Sequence, residues 1–214
     1  MSFESASGVV LGRRMVGEGD LLLSLFLKGI GLTSASARGA AMGKVRFGGG
    51  TEPLVWGVFT LYLGRGGKKH LKGVDVADDM LPLRGRPEVL FAAVHWVKLL
   101  RRRLMEVTVD SPSHPSDGLL ANLYWNMKLL CSPQIPVEAV EWRFLRRWLK
   151  DWGLAPALSQ WADCWPNGLE LLRRVAAAKV DDFLDLDLLR ALEPHRRLFR
   201  DAARRAESYL TLYS

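Results

Sequence analysis

Two cysteines, Cys131 and Cys164, are all that this 214-residue chain contains. That is too few for a disulfide framework, and no four-cysteine metal site can be built within one chain. A reduced, cytoplasmic setting is therefore expected. No apolar run approaches the roughly eighteen residues that a membrane-spanning helix needs. The opening residues MSFESASG lack a basic segment followed by an apolar core, so no signal peptide is expected. The four histidines, His70, His95, His114 and His195, are scattered without metal-ligand spacing. His95 falls within an apolar helical pattern and is expected to be a core residue. No serine nucleophile elbow occurs. A Walker A loop is excluded too, because Gly43-Lys44 is followed by Val45 and the leading glycine would fall at Arg38. The acids of DDFLDLD, Asp181 to Asp187, suit the N-terminal end of a helix and need no metal. Internal repeats and low-complexity tracts are missing as well. These absences argue against an enzyme, and neither a metal nor a cofactor is expected.

What is present is a globular composition with a basic balance. Hydrophobic residues make up 49% and charged residues 25%, enough for a sizeable core. The net charge is +7 and the isoelectric point about 9.7, which calls for an acidic partner: nucleic acid, a membrane surface or an acidic protein tail. The charge is concentrated. Residues 8–72 carry ten Lys and Arg against only Glu18, Asp20 and Glu52.

The same region reads as short apolar runs broken by glycine turns, the pattern of a small strand-built barrel. Strands are expected at residues 3–16, 21–28, 32–38, 54–63 and 68–76, with turns at 17–20 and 64–67. Residues 39–50, GAAMGKVRFGGG, hold too many glycines for regular structure and read as a loop carrying Lys44 and Arg46. That loop is either a phosphate-contacting segment or a plain connector. Five strands in about seventy-five residues suit a five-stranded Greek-key barrel of the OB type. Such barrels often hold single-stranded nucleic acid in a basic groove with stacking aromatics. Trp56, Phe59 and Tyr62 on the clearest strand are nevertheless expected in the core.

After the segment 82–87, with its two prolines, the hydrophobic period changes from two to about 3.6. Helices are expected over 88–106, 116–131, 136–152, 169–180, 181–192 and 194–212, with an irregular stretch at 155–168. The fold class is therefore α+β: an OB-type barrel over 1–80 followed by a helical domain over 81–214. Seven of the eight tryptophans lie after residue 90, so the helical part is expected to hold its own core. Arg101, Arg102 and Arg103 read as a solvated turn near a helix C-terminus. In the helix over 136–152, Phe144, Leu145, Trp148, Leu149 and Trp152 share one face. Arg143, Arg146, Arg147 and Lys150 fall together on the opposite one. That second face is either ordinary solvated surface or a basic surface for DNA or an acidic peptide.

Several segments occur in the order of a known family. They are Val10-Leu11-Gly12-Arg13-Arg14, then Gly17-Glu18-Gly19-Asp20 leading into residues 21–26, then Gly31-Leu32 and Ala37-Arg38-Gly39-Ala40. Lys44, Arg46 and the glycines before Glu52-Pro53-Leu54 follow, then Leu63-Gly64-Arg65-Gly66-Gly67 and Leu71-Lys72. Over these 65 or so residues the chain resembles the RecO family of bacterial recombination mediators. Beyond residue 85 the likeness is one of architecture, including WRFLRRWLKDWGLAP and Cys164.

The resemblance implies an OB barrel, a helical domain and, in many members, an inserted zinc knuckle. It implies binding of single- and double-stranded DNA, strand annealing, and loading of a recombinase onto coated single strands. The partners implied are RecR and the acidic C-terminal tail of single-stranded-DNA-binding protein, in a bacterial, nucleoid-associated setting. One departure stands out. Where many members have Cys-x-x-Cys-Gly, this chain has Cys164-Trp165-Pro166-Asn167-Gly168, so Asn167 replaces the second ligand. No zinc site is expected, and Trp161 and Trp165 are expected to fill the space.

The expected DNA-contacting residues are Arg13, Arg14, Arg38, Lys44, Arg46, Arg65, Lys68 and Lys69. Arg143, Arg146, Arg147 and Lys150 are the expected partner-binding set. Two rival readings stand beside the mediator. One is a non-enzymatic adaptor whose basic helices bind an acidic tail. The other is a nuclease, against which the lack of clustered carboxylates and histidines argues.

Overall fold

The computed structural model describes residues 3–42, 46–110, 117–161, 164–165 and 167–212; Lys44, His114 and the side chain of Arg65 lie outside the described set. The chain forms two compact units, Met1–Leu120 and Ala121–Ser214. The change from strand to helix comes earlier, at residues 79–80, so the first unit carries helices as well as the barrel.

In the first unit, β1 (Phe3–Val16), β2 (Asp20–Leu27), β3 (Gly31–Ala37), β4 (Trp56–Leu63) and β5 (Lys69–Asp78) close into a barrel in the order β1-β2-β3-β5-β4. Every pairing is antiparallel except β3 with β5, where Ser36 lies beside His70. Long β1 serves two neighbours. Its first half pairs with β4 and its second half with β2, overlapping at Gly8 and Val9. Gly8 must lack a side chain there, because a Cβ would sit 2.1 Å from the carbonyl oxygen of Phe26. Alternating residues fill the interior: Val10, Leu21, Leu23, Leu25, Ala35, Phe59, Leu61 and Leu71 are buried together, and Phe47 reaches in from the loop after β3. Trp56 and Phe59 are buried, as the sequence leads one to expect. Tyr62 is only half-buried, because it is out of phase with Phe59 and Leu61 and falls on the barrel's outer side.

A short helix α1 (Leu81–Arg84) and a long helix α2 (Pro87–Asp110) complete this unit. Pro82 occupies the first turn of α1, where its missing N–H costs nothing. Helix α2 buries Val89, Ala93, Trp96, Val97, Leu100 and Leu104 along one stripe. His95 is off that stripe and exposed, so it is not the core histidine that the apolar context suggested. The helix also runs on to Asp110. Arg101–Arg103 therefore lie about two turns before its end, outside the last turn where the dipole acts.

Helix α3 (Asp117–Leu130) leads into the second unit, which continues with α4 (Val137–Asp151), α5 (Leu169–Ala177), α6 (Leu186–Leu192) and α7 (Arg196–Leu212). The expected helix over 181–192 resolves into a 3-10 turn at Asp181–Leu184 and α6, whose start is capped by the Asp185 carboxylate accepting the Asp187 N–H. The core is aromatic. Trp142, Trp148, Trp161, Phe144, Phe183 and Phe199 are all fully buried. Trp161 packs against Trp142, Trp165 and Tyr209, with ring centroids 4.9, 6.0 and 6.2 Å away.

Candidate nucleic-acid interface

The barrel gathers its cations where β1 runs past a bulge. The register of β1 against β2 shifts between Val10 and Gly12, and the strand then continues opposite Asp20–Ser24, carrying Arg13 and Arg14. These two arginines, with Leu22, Ser24, Leu32 and Ser34 of the sheet and Arg101 and Met105 of α2, line an open groove of about 340 Å³. The Arg101 side chain lies over Gly12: a Cβ there would be 3.4 Å from its Nη1, in ordinary van der Waals contact. The Nε of Arg101 is buried and finds no acceptor among the described residues.

Arg13 is 2.6 Å from Glu52, an exposed pair that costs little to break. Arg14 has no partner among the described residues. Arginine and serine side chains of this kind are donors to which phosphate oxygens can bind. Sequence reasoning assigned Arg101 to a solvated turn. Only the packing of α2 against the barrel shows it in the groove.

The other expected contacts are more dispersed. Arg38 is exposed at the end of β3, and its carbonyl accepts a hydrogen bond from Nη1 of Arg46 at 2.9 Å. The Arg46 guanidinium also lies 5.1 Å from the Phe47 ring centroid. Lys68 is exposed, whereas Lys69 is held by Glu4 at 3.3 Å. Because Ser36 lies beside His70, Arg38 and the Lys68-Lys69 pair occupy neighbouring strand ends. Arg103 is no surface cation: it is 4% exposed and paired with Glu106 at 2.7 Å.

In the helical unit the expected four-cation face does not exist as a surface. Arg143 is 1% exposed. Its Nη1 donates to Asn126 Oδ1 at 2.7 Å and its Nε to the Ala178 carbonyl at 3.1 Å. Arg147 donates to the carbonyls of Ala176 and Ala178 at 3.2 and 2.8 Å. Those carbonyls end α5, where acceptors lack helical partners and the dipole is negative. Burial, with the nearby charge of Arg147, pushes the Arg143 pKa down to about 10, Asp182 partly opposing it. Arg146 is half-buried, with its guanidinium 5.9 Å from the Trp161 ring centroid. Only Lys150 of the four is exposed. A helical wheel cannot show this, because α4 is packed on most of its sides. The buried Glu138 of α4 anchors α7 through Arg196 and Arg200, at 3.0 and 2.8 Å.

The residues at the position of a zinc knuckle do not fit a metal. Cys164 accepts a hydrogen bond from Nη1 of Arg205 at 2.9 Å, and Asn167 follows where a second thiolate would be needed. Among the described residues no three His, Cys, Asp or Glu side chains are placed to hold a metal ion. No described helix is long and apolar enough to cross a membrane.

A closed five-stranded barrel in this strand order, bearing a basic groove and followed by helices, defines an OB-type domain joined to a helical region. Residues 1–79 match the family described as "Recombination protein O N terminal". A DNA repair protein RecO from Heliobacterium modesticaldum is 33% identical over 168 residues, covering 77% of this chain and 56% of the relative. One from Acetivibrio thermocellus is 28% identical over 168 residues, covering 77% and 62%. One from Gloeobacter violaceus is 43% identical over 60 residues, covering 28% and 23%. Over its first 79 residues the chain is similar to the RecO family, and it spans less than two thirds of the length of these relatives.

Proposed function

We propose that this chain is a DNA-binding recombination mediator in DNA repair, acting without catalysis. The observation that carries this reading is the groove of Arg13, Arg14 and Arg101 on an OB-type barrel. Relatives named DNA repair protein RecO support it. Contacts to phosphates are sequence-independent and release counterions, so affinity falls steeply with salt. Arg38, Arg46 and Lys68 add positive charge around the same barrel, and Lys69 would join them on exchanging Glu4 for a phosphate. Annealing follows from the same physics, since neutralised phosphates repel one another less while the bases stay free to pair. Recombinase loading onto coated single strands, with RecR and the acidic tail of single-stranded-DNA-binding protein as partners, completes the proposal, together with a place at the nucleoid.

The test is a titration of a fluorescent single-stranded oligonucleotide at several salt concentrations, followed by addition of its complement. Salt-sensitive binding with accelerated duplex formation is expected. No binding at low salt would overturn the reading and leave an adaptor for an acidic protein tail.

A further inference from the structure

The strand registers place one line of residues around the outside of the barrel. Arg14 is opposite Leu22, Leu22 opposite Ser36, Ser36 beside His70, His70 opposite Tyr62, and Tyr62 opposite Phe3. Directly paired residues project from the same face of a sheet. The line therefore starts at a groove cation and ends in three rings. Tyr62 and His70 are stacked, with centroids 5.0 Å apart and planes 21° apart, and Phe3 meets Tyr62 edge-on at 6.4 Å. The ammonium of Lys72 lies 4.1 Å from the Phe3 ring centroid.

These rings are not needed by the barrel core, which Phe59, Leu61 and their neighbours fill. Phe3 is 51% exposed and Tyr62 half-buried, while His70 is buried behind Tyr62 and fixes its ring. Phe3 and Tyr62 line an open depression of about 470 Å³, together with Glu4, Leu61 and Leu63, which alternate with them along the same strands, and Lys69. Its two rim charges, Glu4 and Lys69, neutralise each other. Such a hollow suits a flat, uncharged ring rather than a phosphate, and exposed Lys68 and Lys72 stand by to meet the chain that carries it.

We infer that Phe3 and Tyr62 form a stacking subsite for unpaired nucleobases of single-stranded DNA, on the line that begins at the phosphate groove. This rests on the DNA-binding reading and sharpens it. Bases inside a duplex are already stacked and out of reach, so the subsite favours single strands, whereas the arginine groove serves either form.

The experiment compares a fluorescent oligothymidylate with an abasic oligonucleotide of equal length and charge, using the full chain at moderate salt. The wild type is expected to bind the thymidylate about tenfold more tightly, the effect of one good stack. Phe3→Ala and Tyr62→Ala should each reduce that preference, and Tyr62→Phe should keep it. Phe3→Ala touches an exposed end of β1 and leaves the core intact, so it guards against a Tyr62→Ala variant that misfolds. Equal wild-type affinity for both oligonucleotides would overturn the subsite while leaving the arginine groove in place. Failure to bind either at low salt would overturn the DNA-binding reading and the subsite with it.

Discussion

The barrel and the helical unit both carry arginine, and they use it in opposite ways. On the barrel, Arg14 stands unpaired among the described residues and Arg13 is held only by an exposed ion pair. In the helical unit, Arg143 and Arg147 are drawn inside to complete the end of α5, and Arg196 and Arg200 hold α7 to a buried glutamate. A count of cations does not distinguish the two. What distinguishes them is whether each guanidinium is already satisfied by the protein, because a satisfied group has little left to offer a ligand.

The comparison can be broken first in the helical core. Trp161→Ala removes a fully buried ring that contacts three other aromatic residues, and should cost about 3–5 kcal/mol in chemical denaturation. Arg143→Met leaves Asn126 Oδ1 without its donor and weakens the end of α5. A loss of about 2–3 kcal/mol is expected, read the same way, and DNA affinity at fixed protein concentration should stay unchanged. If that variant were as stable as the wild type, the structural role of Arg143 would fall.

On the barrel the effects should be reversed. Arg13→Ala with Arg14→Ala should weaken single-strand binding about tenfold and make the salt slope shallower by roughly 1.4. The melting temperature should hardly move, since only an exposed ion pair is lost. An unchanged salt slope would remove both residues from the interface.

Two smaller effects sharpen the contrast. Burial pushes the Glu138 carboxyl up, but hydrogen bonds from Arg200, from its own backbone amide and from Arg196 outweigh it and hold the pKa below its ordinary value. Its stabilisation is therefore complete above about pH 4.5 and lost as pH falls through the lower folded value. Glu138→Gln should cost about 1 kcal/mol at pH 7, and the gap to wild type should close in acid. At the bottom of the scale, Arg190 meets Asp187 only at 4.0 Å with both largely exposed, and Arg190→Ala should change stability by less than about 0.5 kcal/mol.

Local pattern made much of the fold legible. Glycine turns at 17–20 and 64–67 and short apolar runs marked all five strands, with β1 at its observed bounds, although Asp20 already belongs to β2. The break at Pro82 and Pro87 marked the change to helix, although α1 itself is too short to announce itself by periodicity. Arg13 and Arg14 could be picked out because they sit in a basic, strand-forming stretch. Arg101 could not, since nothing in a helical sequence says which of its turns will lie over Gly12. Phe3 and His70 were equally hidden as neighbours of Tyr62, being 59 and 8 residues from it in the chain.

The sequence by itself determined the order of elements, the basic balance of the first seventy residues and the lack of a cysteine set for zinc. These are local or additive properties, set by turn chemistry, side-chain period and charge. The tertiary structure alone decided which arginines face water and which are enclosed, and which rings share a row. Those outcomes depend on register and packing between residues distant in sequence, and a one-residue slip in a strand or a small rotation of a helix would exchange inside for outside.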